Sequence, residues 1–294
     1  MYFQDQIELP YGFHLLAGGR YDHASMAAAV ATDDGSPPGS FLSRNSAINP
    51  RVGLLWRPVS EISFYGNYVQ NFGLPNFSFG GAGVLLPPET ARQWETGVKT
   101  ELFDRKLTAS LAWFHLTKQN IATQNPFNPN LTDVTGEVLS RGLEIDVAGQ
   151  ILSEWKVIGN VTYTDTVVLK DTVDSSGAPL GNQGKRFYGV PRFGGSLWTT
   201  YAPQDGALRG WKFGTGVLAY SNREGDLPNT FQVPGFALAN FMAGYEWNQG
   251  LFRVKLQLNV DNLLDKTYFV NSDGFGNVYF GSPRRFIGSI RMEF

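Results

Sequence analysis

The feature that most constrains the fold is an alternation of apolar and polar residues with a period of two, in segments of about ten residues. The clearest segment covers residues 252–261, where F, V, L, L and V share one face and R, K, Q, N and D share the other. Residues 285–294 repeat the pattern, with Ile287 as the one exception. A soluble β-sandwich alternates as well, because one face of each sheet packs on the core. The period therefore predicts an all-β chain without deciding its class.

The lengths of the connections decide the class. We predict thirteen strands, over residues 2–9, 12–24, 46–57, 60–72, 91–102, 106–119, 136–149, 154–169, 187–202, 211–222, 235–248, 251–262 and 282–294. Short connections near residues 9–11, 57–60, 103–105, 150–153, 203–210 and 248–250 alternate with long ones near 24–45, 73–90, 120–135, 170–186, 222–234 and 263–281. Short periplasmic turns that alternate with long extracellular loops are the rule in outer-membrane barrels. We therefore predict a transmembrane antiparallel β-barrel wall.

The tryptophans support the same class of fold. Four of them, Trp56, Trp155, Trp211 and Trp247, each lie at a strand end beside a short connection. In a membrane barrel this position is the periplasmic interface, where an amphipathic ring spans the apolar and the wet layer. Four unrelated core residues are the alternative.

The predicted inward face carries charges of both signs. An arginine or lysine that faced lipid at mid-membrane would cost roughly 2–4 kcal/mol. A lumen that holds water and a lumen that holds a polar plug both fit these charges. The residues assigned to this face are Arg51, Glu95, Lys99, Glu144, Asp146, Lys156, Arg253, Lys255, Arg285, Arg291 and Glu293.

Composition excludes several functions. The formal net charge of −2 does not favour nucleic acid as a partner, and the absence of cysteine excludes disulfides and cysteine-based metal sites. His14, His23 and His115 have no metal-ligand spacing, and no motif frames a catalytic nucleophile. No apolar run approaches the roughly 18 residues of a transmembrane helix, and the N-terminus does not read as a signal peptide. We expect no enzyme, no cofactor and no metal site.

The number of strands predicts a partial barrel. A complete bacterial barrel has an even number of strands and begins and ends in the periplasm. Thirteen strands whose last one ends in the periplasm imply that the first begins outside. The sequence therefore predicts that residues 1–294 are one portion of a larger barrel, and that Met1 is not a native start.

Four stretches carry a family resemblance. They are YFQDQ at 2–6 with AGGRYD at 17–22, RQWETGVK at 92–99, RGLEI at 141–145 with YTD at 163–165, and NVDNLLDKTY at 259–268 with GSPRRF at 281–286 and a terminal Phe294. In this order and spacing they resemble TonB-dependent outer-membrane siderophore receptors of the ferrichrome and pyoverdine type. The last pair is the most specific, and together the stretches span nearly the whole chain.

The resemblance implies a fold and a function. The chain would form about the last 13 of 22 strands, without the earlier strands, the plug domain and the TonB box. The complete protein would be a TonB-dependent receptor for ferric siderophores in the outer membrane of a Gram-negative bacterium. Its implied partners are a ferric siderophore of the hydroxamate type, the TonB-ExbB-ExbD energising complex, outer-membrane lipid and the barrel-assembly machinery. A passive outer-membrane porin is the alternative, and an outer-membrane enzyme is a third.

The last motif has a physical interpretation of its own. Asn and Asp side chains can form Asx-type turns where a strand ends at the outer rim. The resemblance adds that the terminal aromatic is similar to the signal read during barrel assembly. We therefore expect structural roles for Asn259, Asp261, Asn262, Leu263, Asp265, Tyr268, Arg284 and Phe294.

Aromatic residues in the last long loop are the candidate ligand contacts. Receptors of this family hold ferric siderophores with aromatic side chains from the barrel wall and the loops. The resemblance therefore implies ligand binding by Phe275, Tyr279 and Phe280. Packing of one loop on another is the alternative.

Overall fold

The structure, a computed structural model, describes residues 1–30, 39–74, 86–124, 132–171, 180–250, 252–274 and 276–294. Its strands are β1 Tyr2–Leu9, β2 Phe13–Val30, β3 Gly39–Val59, β4 Ile62–Gly73, β5 Glu89–Leu102, β6 Leu107–Gln124, β7 Thr132–Leu152, β8 Trp155–Lys170, β9 Phe193–Tyr201, β10 Trp211–Tyr220, β11 Arg223–Glu224, β12 Gln232–Val233, β13 Phe236–Gln249, β14 Phe252–Asp261, β15 Phe269–Ser272, β16 Val278–Phe280 and β17 Arg285–Glu293. Two 3₁₀ turns, Pro10–Gly12 and Gly206–Leu208, lie in short connections.

One antiparallel sheet contains thirteen of these strands, as the alternation predicts. Their order is β1 to β10, then β13, β14 and β17, and consecutive strands are neighbours throughout. Within the described strands, β1 pairs with β2 alone and β17 pairs with β14 alone. The remaining strands form two small hairpins, β11 with β12 and β15 with β16, inside the long connections.

The described residues contain no helix that is long and apolar enough to cross a membrane.

The register keeps one apolar and one polar face across the sheet. Leu256 lies opposite Tyr245 of β13 and Ile290 of β17, whereas the adjacent Lys255 lies opposite Glu246. A slip by one residue would exchange the two faces, so the pattern of apolar residues fixes this register. The predicted faces of β14 are confirmed.

Aromatic rings mark the two edges of the apolar band. At the short connections, Trp56 stacks between Phe13 and Phe64, with ring centroids 5.8 and 5.7 Å apart. On β8, Trp155 begins the strand at such a connection and Tyr163 follows eight residues later on the same face. Eight residues span about 27 Å along a strand, or about 20 Å of height at the usual barrel tilt. This height agrees with an apolar band of about 25 Å.

Four strands, β2, β3, β6 and β7, extend several residues beyond their predicted outer ends. β2 has 18 residues and β3 has 21, and they stay paired up to the Val30 and Gly39 positions. The alternation predicts that β2 ends near residue 24 and β3 begins near residue 46, and that β6 ends near residue 119 and β7 begins near residue 136. At about 3.4 Å per residue, β3 is about 70 Å long, which exceeds the membrane band and extends the hairpin beyond it.

The strand β9 begins six residues later than predicted. We expected a strand over residues 187–202, but β9 begins at Phe193. Gly189 has a φ of +75°, which is not a strand conformation, and Pro191 has no N–H to donate to a neighbouring strand. Residues 187–192 instead belong to the loops above the sheet.

Candidate functional site

The outer end of β14 is closed by the buried side chain of Asn262. Its backbone N–H donates to Asn240 Oδ1 (2.8 Å), its Nδ2 donates to the Lys266 carbonyl (2.9 Å), and its Oδ1 accepts the Lys266 N–H (2.9 Å). Asn262 and Asp265 have φ values of 51° and 52°. Asn and Asp tolerate this left-handed conformation better than most residues. The geometry is that of an Asx-stabilised reversal.

A second set of contacts joins the start of the last loop to its end. Asp265 Oδ1 accepts the Arg284 N–H at 2.9 Å, and Arg284 Nη1 donates to the Leu263 carbonyl at 3.3 Å. The ring of Tyr268 lies so close to Gly281 that a Cβ at that position would collide with it. These contacts bring the two ends of a loop of about twenty residues together at the rim.

Three further motif residues lie along the last two strands of the sheet. Asp261 accepts from Arg285 Nη2 at 2.8 Å on the inner face, and Asn259 accepts from Gln257 at 3.0 Å. Phe294 ends the chain on the apolar face, with its ring 6.2 Å from that of Phe252. The contacts of the motif residues stay within the sheet and its outer corner. The structural role of these residues stays a prediction.

A buried arginine connects two of the long loops. Arg223 of β11 is only 3% exposed, and its Nη2 donates to the carbonyls of Phe269 (2.7 Å) and Val270 (2.6 Å). Its guanidinium also lies 5.6 Å from the centre of the Phe236 ring. Burial lowers the pKa of Arg223 from its ordinary value, yet the two carbonyls and the ring all favour the cation.

Two reciprocal hydrogen bonds connect residues 180–192, the third loop, to residues 221–235. Asn229 Oδ1 accepts the Arg186 N–H (2.9 Å), and Asn229 Nδ2 donates to the Arg186 carbonyl (2.8 Å). The Gly189 N–H donates to the Glu224 carbonyl at 2.9 Å. Burial lowers the pKa of Arg186, and the neighbouring Arg192 lowers it further. The described parts of three segments, residues 180–192, 221–235 and 262–284, are thereby linked into one body over the outer end of the sheet.

Two of the three predicted ligand contacts lie on this body. Tyr279 and Phe280 belong to β16 and are 53% and 69% exposed, while Phe275 lies outside the described residues. The Phe280 ring is 4.8 Å from that of Phe269, so part of its surface packs within the hairpin. Both rings remain accessible from outside. Their assignment as ligand contacts stays a prediction.

The inner wall carries an acidic patch at mid-height. Glu95 of β5 and Glu144 and Asp146 of β7 all face inward in the observed register. Tyr65 donates its hydroxyl to Glu95 at 2.9 Å, and Lys99 lies 4.8 Å from the centre of the Tyr65 ring. The inward assignment of these charges is confirmed, and the patch needs water or a polar partner in the lumen.

The described part of the chain contains no cluster of metal-ligating side chains. No three or more His, Asp or Glu side chains lie there in an arrangement that could hold a metal ion. Within the described residues, four buried polar atoms of the outer body have no hydrogen-bond partner: Asn182 Oδ1, Arg186 Nε, Arg186 Nη2 and Arg223 Nε.

Comparison with known proteins identifies relatives of this fold. Residues 1–263 match the family described as "TonB dependent receptor-like, beta-barrel". The chain is 31% identical to the metal-pseudopaline receptor CntO of Pseudomonas aeruginosa over 99% of its length, and 30% identical to the ferrioxamine B receptor of Salmonella typhimurium over 100%. It covers 40% of each of these proteins, so it spans well under half their length.

A solved structure shares the architecture. The siderophore receptor PiuA from Acinetobacter baumannii superposes with a TM-score of 0.81, covering 99% of this chain and 42% of that one. At 24% identity this likeness speaks for the fold alone.

Proposed function

The chain belongs to the TonB-dependent receptors, as a part of their β-barrel, and from this membership we propose that the protein takes up a ferric siderophore. The family consists of receptors and transporters in the outer membrane of Gram-negative bacteria, and this chain is an outer-membrane protein. The observation that carries the proposal is the family match over residues 1–263. The apolar outer face and charged inner face of the sheet agree with it.

The proposed ligand is a ferric siderophore of the hydroxamate type. The relative from Salmonella typhimurium is named for ferrioxamine B, which is a hydroxamate. Phe275, Tyr279 and Phe280 are the proposed contacts, because two of them are exposed aromatics on the outer body. Aromatic rings can supply large contact area at low cost in conformational entropy.

The proposed energy source is the TonB-ExbB-ExbD complex, which would act through a region that this sequence does not include. We propose that residues 1–294 are the C-terminal part of a barrel of 22 strands, inserted by the barrel-assembly machinery. The share of 40% that the chain covers in its relatives supports this division. Release of the ligand into the periplasm would then require a plug domain that precedes these strands.

Growth on single iron sources tests this function. The complete gene is expressed in a strain that lacks its own siderophore receptors, and ferrioxamine B, ferrichrome or ferric citrate is supplied as the only iron. We expect growth on at least one hydroxamate, and loss of that growth when TonB is deleted. Growth that survives the deletion of TonB would instead indicate a passive porin.

A further inference from the structure

A polar pocket opens on the inner wall, at the part of the sheet formed by β1 to β4. Its volume is about 320 Å³, and its lining includes Tyr2, Arg20, Asn49, Arg51 and Asn71. The register places Tyr2, Arg20 and Asn49 side by side on three neighbouring strands. This pocket is separate from the outer body of residues 180–192, 221–235 and 262–284. Arg20 lies seven residues above Phe13, or roughly 24 Å along the strand.

Most hydrogen-bond donors of the two arginines in this pocket are unused. Arg20 Nε donates to Asp22 Oδ2 at 2.8 Å, and Arg51 Nη2 donates to Gln4 Oε1. A guanidinium has five N–H donors in a rigid fork. In the part of the chain that the structure describes, the remaining donors of these two side chains have no protein acceptor. Among the described residues Asp22 is the one carboxylate in contact with these arginines, so the group has a net positive charge.

The floor of the pocket has an unpartnered polar atom as well. Asn49 is only 5% exposed, and its Nδ2 donates to Asp22 Oδ2 at 2.6 Å. Its Oδ1 is buried and, within the described residues, has no hydrogen-bond partner. A buried polar atom without a partner is costly, and this one is satisfied when a ligand or water donates to it. The pocket thus combines free cationic donors with one free acceptor.

We propose that this pocket binds a carboxylate group carried by the transported ferric chelate. The proposal rests on the function proposed above and defines its substrate class further. Two guanidinium forks match the geometry of a carboxylate, which they can hold by paired charge-assisted hydrogen bonds. The acidic patch of Glu95, Glu144 and Asp146 lies on the same wall, on β5 and β7 next to the pocket strands β1 to β4, and repels an anion. The charge distribution therefore directs an anionic group to the sector of Arg20 and Arg51.

Three chelates that differ only in one terminal group test the proposal. They are the ferric complexes of desferrioxamine B, of its N-acetyl derivative and of its N-succinyl derivative, which end in an ammonium, a neutral amide and a carboxylate. Binding to the complete receptor in outer-membrane vesicles is measured as Kd. We expect the N-succinyl complex to bind about tenfold more tightly than the N-acetyl complex, since a charge-assisted hydrogen bond contributes on that order.

The variants assign this preference to the pocket. Arg20→Gln and Arg51→Gln should each remove most of the preference for the carboxylate, measured as the ratio of the Kd values of the N-acetyl and N-succinyl complexes. Lys156→Gln removes one charge from the inner wall outside the pocket, and the preference should remain. Equal binding of the two derivatives by the wild type, or an undiminished preference in both arginine variants, overturns the pocket proposal alone. Binding of none of the three chelates contradicts the pocket proposal and the proposed hydroxamate substrate together.

Discussion

At the scale of single residues, the outer corner of β14 depends on Asn262 more than on its neighbours in the motif. The buried Asn262 side chain makes three hydrogen bonds of about 0.5–1.5 kcal/mol each, to the Lys266 N–H, the Lys266 carbonyl and the Ser282 carbonyl, and the residue holds a left-handed backbone conformation. Asn262→Ala should therefore lower the free energy of unfolding by about 2–4 kcal/mol. Asn259→Ala, which removes one contact with Gln257, is the matched control. Urea unfolding in lipid vesicles measures both, and equal losses would contradict the role of Asn262.

The two faces of β14 give a second prediction at this scale. Leu256 faces outward about 10 Å above the periplasmic end of the strand, near the middle of the apolar band. Leu256→Arg should cost roughly 2–4 kcal/mol on insertion, because it places a charge in lipid. Lys255→Leu changes the inner face, where Lys255 lies 3.2 Å from Glu293, and should have a smaller effect. Folding yields in lipid vesicles measure the two variants, and equal effects would reverse the assignment of the faces.

At the scale of elements, the three outer loops should behave as one unit. Arg223→Leu removes the donors to the carbonyls of Phe269 and Val270 and should release the last loop from β11. We expect limited proteolysis to cut residues 221–235 and 262–284 several times faster than in the wild type. Arg209→Gln, in an exposed short connection, is the control. Unchanged cleavage in the Arg223 variant would show that the loops are held independently of it.

The elements also show how far the sequence predicts the fold. The thirteen strands of the sheet and their faces follow from alternation, because one side must meet lipid and the other the lumen. The outer ends of β2 and β3 cannot be predicted in this way. Residues 26–30 read MAAAV and show no alternation of apolar and polar residues. The two small hairpins are also missed, because their strands have only two to four residues.

The candidate sites can be predicted from the sequence only in part, because their contacts join residues that are distant in the sequence. Arg51 was assigned to the inner face from the alternation, but its pocket depends on the register of several strands, which brings Arg20 and Asn49 beside it. The roles of Arg223 and Asn229 arise from contacts with residues 43 to 47 positions away. No local pattern encodes such contacts.

At the scale of the whole molecule, the sheet has an apolar face that lipid can cover, and two edge strands that each have one neighbour among the described strands. Ile48 and Ile290 on the apolar face are 72% and 68% exposed. Unpaired edges and exposed apolar surface both promote association. Residues 1–294 alone should therefore neither transport iron nor remain monomeric in buffer without detergent. Sedimentation velocity tests this, and a stable monomer would contradict it.

The central claim is that this sheet is a barrel wall with lipid on one face and the lumen on the other. Single cysteines can be introduced over residues 252–261 of the complete receptor, in a background from which any cysteine outside residues 1–294 is removed, and spin-labelled in outer membranes; residues 1–294 themselves contain none. Collisions with oxygen, which dissolves in lipid, and with a water-soluble nickel chelate are measured at each position. The account predicts high oxygen accessibility at the even-numbered positions and low oxygen accessibility at the odd-numbered ones. An absent or inverted alternation would contradict it.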